Sequence, residues 1–204
     1  MEVKAEPGRA MDEAQHNKRP PESNQRAVLS ELLVLQAQQG IGEAFGKLAK
    51  LWQEPLWRHA RRLTGTDDAA WDVSQESWIS IGKGLGGLRD ANLFRAWAYT
   101  IVTRAAATLL RRKSFSINQE FADLEQHPQP CDENDSREQV IGELRVALKK
   151  LKREDCALVS LHYLENFELW ELARIYGIPE GTVKSRLHRI RHELKNLMEK
   201  KSDE

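Results

Sequence analysis

Cysteine is almost missing: Cys131 and Cys156 are the only two in 204 residues, far apart and without a C-x-x-C partner. That leaves no basis for a disulfide framework or a cysteine-built metal site, and it fits a reducing compartment. Long apolar runs are missing as well. The most apolar stretch, Ala96 to Leu110, is interrupted by Arg104 and falls short of the roughly 20 residues a bilayer span requires. No membrane insertion is expected. The chain opens on Met1-Glu2-Val3-Lys4 and reaches Pro20-Pro21 without an apolar h-region, so no secretory signal is expected and the compartment is cytoplasmic. A phosphate-cradling G-x-x-x-x-G-K-[ST] loop is lacking too: Gly84-Leu85-Gly86-Gly87 follows a helical pattern and has no Lys-Ser/Thr ending.

Net charge is also absent, since 31 Lys and Arg balance 31 Asp and Glu, but the balance is an average over segments of opposite sign. Residues 41–113 hold 12 basic against 7 acidic residues, residues 144–204 hold 13 against 10, and residues 114–143 hold 1 against 8. Two basic blocks thus flank an acidic connector, a distribution suited to a polyanion partner as well as to an ordinary solvated surface.

What the sequence does contain is helical periodicity. Residues 1–24 are polar, carry Pro7, Pro20 and Pro21, and show no period, so they read as a disordered tail. From Val28 the apolar residues recur at helical spacing: Val28, Leu29, Leu32 and Leu35, then Phe45, Leu48 and Trp52. Pro55 is expected to kink rather than end the second run, because Leu56, His59, Ala60 and Leu63 restore the same face. Thr64-Gly65-Thr66 marks a stop, and Asp67-Asp68 offers cap-type residues for a third helix carrying Ala70, Val73, Ser77 and Ile81. A fourth helix holds Phe94, Trp97, Ala98, Ile101, Ala105 and Leu109 and terminates in Arg111-Arg112-Lys113. Pro128, Pro130 and clustered acids make 114–137 a linker. A second helical set begins with Val140, Leu144, Ala147, Leu148 and Leu151, and residues 138–197 form the second unit, with 198–204 a tail. No strand pattern is convincing. The expected fold is all-α: two small helical domains, 25–113 and 138–197, joined by an acidic flexible linker.

Near the end, Leu169, Leu172, Ala173 and Tyr176 share one face of a short helix that stops at Gly177. Pro179 suits the start of another helix, whose stripe is Val183, Leu187, Ile190, Leu194 and Leu197. Two helices across a tight glycine turn make a helix-turn-helix. On the second helix Ser185, His188 and His192 lie opposite the stripe, Thr182, Lys184 and Arg189 flank them, and Arg186 and Arg191 lie nearer the packed edge. This face can offer donors to a DNA major groove, although a plain αα-hairpin has the same spacing. His188 and His192 have zinc-pair spacing, but Arg189-Ile190-Arg191 between them brings two cations and no carboxylate.

The wording of the sequence goes further. Tyr176-Gly177-Ile178-Pro179-Glu180-Gly181-Thr182-Val183-Lys184-Ser185-Arg186-Leu187-His188-Arg189 resembles the region four signature of extracytoplasmic-function (ECF) sigma factors. Ala70-Trp71-Asp72-Val73-Ser74-Gln75-Glu76 and Phe94-Arg95-Ala96-Trp97-Ala98-Tyr99 resemble their region two, and Pro55 falls where the family often has a proline. The resemblance implies a promoter-recognition subunit with no chemistry and no cofactor of its own. It implies that the helix carrying Asp72, Gln75 and Glu76 docks on a coiled coil of the largest subunit of core RNA polymerase. It further implies that the loop and helix from Lys83 onward receive the melted downstream promoter element, with Lys83, Arg89, Asn92, Arg95, Arg104, Arg111 and Arg112 as candidates. The recognition helix, with Thr182, Lys184, Ser185, Arg186, His188 and Arg189, would read the upstream element of promoter DNA as duplex. The acidic linker would run near the polymerase's RNA channel, and an anti-sigma factor is a partner such proteins often have.

The chain departs from the family at Arg104 and Thr108, where Asn and Asp are frequent, so base preference at the melted element does not transfer. Of the six tryptophans, Trp78 is the one with a case for an interface; the others are expected in cores. A free-standing helix-turn-helix regulator would account for 138–197 but not for Asp72-x-x-Gln75-Glu76 or Phe94-Arg95-Ala96-Trp97. A nucleic-acid enzyme has even less support, since Asp67-Asp68 reads more simply as a helix start than as a metal pair.

Overall fold

The computed structural model describes residues 21–116 and 136–202, with side chains over 25–113 and 142–199. Most of the expected N-terminal tail, most of the acidic linker and Cys131 lie outside the described residues. Eight α-helices are present among them: α1 Pro21–Gln38, α2 Ala44–Thr64, α3 Asp67–Gly84, α4 Phe94–Ser116, α5 Ser136–Lys150, α6 Arg153–Tyr163, α7 Leu169–Tyr176 and α8 Glu180–Ser202. Short 3₁₀ turns at Leu85–Gly87 and Ala91–Leu93 connect α3 to α4. None of these helices is long and apolar enough to cross a membrane.

In the first unit α1 to α4 pack side by side. The apolar spacing of α2 buries Leu48, Trp52, Leu56, Ala60 and Leu63 against Val73 and Ile81 of α3 and Phe94, Tyr99 and Val102 of α4. Pro55 sits inside α2, buried, and the helix runs through it. Gly65 ends α2 at φ 86°, and its N–H returns to Arg61 O at 2.9 Å. The cap of α3 is Thr66 rather than the expected aspartates: its side chain accepts from Ala69 N at 3.4 Å. Asp67 and Asp68 occupy the first turn instead, where the helix dipole favours negative charge. Helix α1 begins at Pro21, before the expected Val28, and is tied in by Trp52 Nε1 donating to Ser30 Oγ at 2.6 Å.

The second unit is α5 to α8, built on Ala147, Leu151, Leu158, Leu161, Leu172, Ile175, Val183, Leu187 and Ile190. Gly177, at φ 66°, makes the left-handed turn between α7 and α8. Helix α8 continues to Ser202, past residue 197 where the unit was expected to end, because polar helix-forming residues extend it after the stripe runs out.

The two units are packed on each other, α7 against α4 and α6 against α2. Phe167, in the loop before α7, is only 1 % exposed. Its ring meets Tyr99 edge-on at 4.9 Å, and the Arg95 guanidinium lies 3.6 Å from its centroid. Arg95 also donates to Glu165 O. A second tie joins α6 to the end of α2: Arg153 Nη1 donates to Thr64 O at 3.1 Å. A Cβ on Gly65 would come within 2.2 Å of the Arg153 guanidinium, so a larger residue there would displace this tie, and the left-handed φ is what calls for glycine. Burying a phenylalanine contributes about 1.5–3 kcal/mol, so Phe167 is a substantial part of this contact.

His59 is fully buried beside Tyr99. Thr103 Oγ1 donates to Tyr99 O, so it can only accept from His59 Nε2, 2.9 Å away, which fixes the Nε2–H tautomer. Nδ1 has no partner among the described residues. Burial, aided by Arg62, lowers the imidazole pKa from 6.5 to about 3. The unfolded chain therefore takes up a proton near pH 6.5 that the folded one refuses until about pH 3. The stability tied to neutral His59 is complete above pH 6.5 and falls away as the pH drops toward 3. Within that window each pH unit costs up to about 1.4 kcal/mol. Thermal melts between pH 7 and 5 should fall more steeply for the wild type than for a His59→Gln variant; parallel curves would mean the imidazole contributes nothing.

Candidate functional surfaces

Three surfaces carry the candidate residues. On α3 the buried side holds Ala70, Val73, Ser77 and Ile81, and Asp72, Gln75 and Glu76 all lie exposed on the other side. Their i, i+3, i+4 spacing puts them on one face. Ile79 stands among them, 59 % exposed, seven residues after Asp72 and three after Glu76. Trp71, 46 % exposed, borders the same face and packs on Trp57 with ring centroids 5.8 Å apart. The face is thus acidic, with an exposed isoleucine one turn beyond Glu76. Trp78 turns inward and meets Phe45 edge-on at 6.0 Å.

The candidates for a melted strand do not form one surface. Lys83, Arg89 and Asn92 lie exposed at the end of α3 and in the connection to α4, where Asp90 Oδ1 accepts from Asn92 N at 3.0 Å. Gly84 is not open to a ligand: a Cβ there would stand 2.9 Å from the Trp97 ring, so its missing side chain makes room for that tryptophan. Gly86 and Gly87 have open space around them. Arg104 and Arg111 are exposed on the side of α4 that also bears Trp97 and Thr108, with Arg112 exposed at its end. Arg111 Nη2 donates to Thr108 Oγ1 at 3.4 Å. Arg95 is nine residues before Arg104, about 180° around the helix. It faces the second unit, held by Phe167 and the Glu165 carbonyl.

On α8 the stripe is buried as expected through Val183, Leu187 and Ile190, and Thr182, Lys184, Ser185, His188 and Arg189 are exposed. Arg186 is half-buried. Both arginines are engaged by Asp155 on α6: Arg186 Nε donates to Oδ1 at 2.6 Å and Arg189 Nη2 to Oδ2 at 2.8 Å. Burial pushes the Asp155 carboxyl up, and the hydrogen bonds and charges of Arg189 and Arg186 outweigh it, leaving the pKa below the usual carboxylate value. No group of three His, Cys, Asp or Glu suited to a metal occurs among the described residues.

The comparisons with known proteins fall on the same segments. The Sigma-70 region 2 family matches residues 48–115 and the Sigma-70 region 4 family matches residues 141–194. The chain is 32% identical over 155 residues to the ECF RNA polymerase sigma factor SigM of Mycobacterium tuberculosis H37Rv, covering 76% of this chain and 77% of that one. The chain belongs to the ECF sigma factors. SigW of Bacillus subtilis is a further relative, 24% identical over 176 residues, 81% of this chain and 94% of its own.

Two solved structures share the fold. The sigma factor RpoE from Bartonella quintana, in a complex with the anti-sigma factor NepR, superposes with a TM-score of 0.62 at 21% identity over 77% of this chain and 98% of that one. CnrH, in a complex with the cytosolic domain of CnrY, gives 0.59 at 21% identity over 84% and 97%. Within this sigma factor the region 2 match takes in most of α2 with α3 and α4, and the region 4 match most of α5 to α8. Ile79, Phe167 and Asp155 were missed by sequence reasoning, and Trp71 and Trp170, expected in cores, are exposed. Only Ile79 left a signal there, as an apolar residue off the Ala70–Ile81 stripe.

Proposed function

We propose that this sigma factor binds core RNA polymerase through the exposed face of α3 and directs it to promoters, carrying out no chemistry and using no cofactor. Asp72, Gln75 and Glu76 supply the polar contacts of that docking, with Ile79 beside them one turn further along α3. Duplex at the upstream element is read by α8 through Thr182, Lys184, Ser185, Arg186, His188 and Arg189. The melted downstream element is met by Lys83, Arg89 and Asn92 from the connection and by Arg104, Arg111 and Arg112 from α4, where exposed cations on the side that bears Trp97 suit the backbone and bases of a single strand. Arg95 joins them only in an arrangement in which Phe167 has left α4. The protein acts in the cytoplasm, where its polymerase is, and an anti-sigma factor is a partner of the kind that the RpoE of Bartonella quintana has.

The observation that carries the reading is the order on one chain: a region 2 unit with an exposed acidic and apolar helix face, then a region 4 unit with a basic recognition helix. The test is in vitro transcription of fragmented genomic DNA by sigma-free core polymerase with the purified chain, mapping every start. Discrete starts dependent on the chain are expected, and DNA binding by the chain alone should be weak. Tight operator binding without core, and no starts with it, would instead make the chain a free-standing regulator.

A further inference from the structure

Asp155 is the most deeply buried carboxylate among the described residues, 1 % exposed, yet both of its oxygens are directed at the recognition helix. Anchoring alone does not call for it. Val183, Leu187 and Ile190 already fasten α8 to the unit, and a buried ion pair holds two elements together no better than apolar residues of the same volume. What the carboxylate adds is direction. An unpaired arginine has many rotamers, and a guanidinium with one donor fixed keeps the others at defined angles. Arg189 is 56 % exposed while held by Asp155 from one side and by Glu193 Oε2 at 3.4 Å from another.

The tether also sets charge. Arg186 is shared with Glu154 at 3.2 Å, so on this flank of α8 Arg186 and Arg189 face Asp155, Glu154 and Glu193. On the opposite flank Lys184 and Arg191 are exposed and form no ion pair among the described residues. One flank is thus cationic toward phosphates, and the other presents arginine donors whose charge is already matched.

We infer that Asp155 is a positioning residue for promoter recognition: it aims Arg189 at a base edge of the upstream element and keeps Arg186 and Arg189 off the phosphates. This rests on the assignment of α8 to duplex reading. Two consequences separate it from a purely structural role. Loss of the carboxylate lowers base discrimination at one position, and it strengthens binding to unrelated DNA by releasing cations to the backbone.

The experiment uses holoenzyme reconstituted from core polymerase and the full chain, binding promoter fragments in which each base of the upstream element is varied in turn. Asp155→Asn should lose about fivefold or more of the discrimination at one position. It should also bind scrambled duplex more tightly, with a salt dependence steeper by about one in the log–log slope. In an Arg189→Gln background the same substitution should change discrimination no further, the signature of two residues acting as one. Arg189→Lys keeps the charge near Asp155 and loses the fork, so it should lose discrimination with the slope unchanged. Weaker binding to every fragment by Asp155→Asn, with an unchanged or shallower slope, would overturn the inference. So would wild-type discrimination by Arg189→Lys, whether or not Asp155→Asn folds. Failure of wild-type holoenzyme to select any promoter would count against the function itself, not against Asp155.

Discussion

Replacing Asp72, Gln75 and Glu76 together with alanine should weaken binding to core RNA polymerase by about thirtyfold or more and leave the melting temperature nearly unchanged. The two halves of that expectation come from one geometric fact. All three side chains are exposed, with the buried side of α3 formed by Ala70, Val73, Ser77 and Ile81. Exposed polar substitutions usually change folding stability by no more than about 0.5 kcal/mol, whereas truncating interface hot spots costs about 2 kcal/mol or more, near thirtyfold in affinity. Ile79 sharpens the test. An isoleucine 59 % exposed has little fold stability to lose, so Ile79→Ala should also cost affinity without a matching loss in the melt. Charge reversal at Asp72 and Glu76 should slow association in a salt-dependent way, as electrostatic steering predicts. Titration of labelled protein with core polymerase, beside thermal melts of each variant, reads both quantities. Wild-type affinity in the triple variant would remove this face from the docking assignment, and a collapsed melt would make the three residues structural.

The helices of this chain were legible because their signals are local. Apolar residues at i, i+3 and i+4, Gly65 and Gly177 at left-handed turns, and a proline tolerated within α2 all follow from rules that act within one helix. The recognition helix and the acidic face of α3 were legible for the same reason, with wording that matched a family. Boundaries were less so: Thr66 took the cap expected of Asp67-Asp68, and α8 ran on to Ser202, since several polar residues can serve equally as cap or continuation. What could not be read were the contacts between elements distant in sequence. Arg95 belongs to a region 2 motif, yet it lies against Phe167 of the other unit. Arg189 looks like a solvent-facing cation on a helical wheel, yet Asp155, 34 residues away, holds it. A wheel gives a residue's direction from its own axis and says nothing of what stands opposite.

Phe167→Ala should cost about 3–5 kcal/mol, the range for phenylalanine truncated in a core, and should change the form of unfolding as well as its midpoint. Phe167 is buried between Tyr99, Arg95 and its own unit, so in the wild type the two units share a core and should melt in one calorimetric transition. Removing the ring leaves Arg153 to Thr64 O and Arg95 to Glu165 O as the named polar ties between them. Such hydrogen bonds contribute about 0.5–3 kcal/mol each, and with the packing of α6 on α2 they bind the two bundles more weakly than the shared aromatic core does. The variant should therefore melt in two steps, whereas Arg153→Ala, which spares the aromatic contact, should lower the midpoint of a single step. Arg95→Ala should destabilise the wild type through its lost stacking and hydrogen bond, but should do little in the Phe167→Ala background, because the two side chains act on each other. A Phe167→Ala protein that still melts in one step would place Phe167 within the core of the second unit alone. Two steps, with additive losses from Arg95→Ala and Phe167→Ala, would show that the ring and the guanidinium hold the units together separately. With non-additive losses, the separation that would free Arg95 is the one that exposes Phe167 and Tyr99 to water, so any partner that opens the units must offset that exposure.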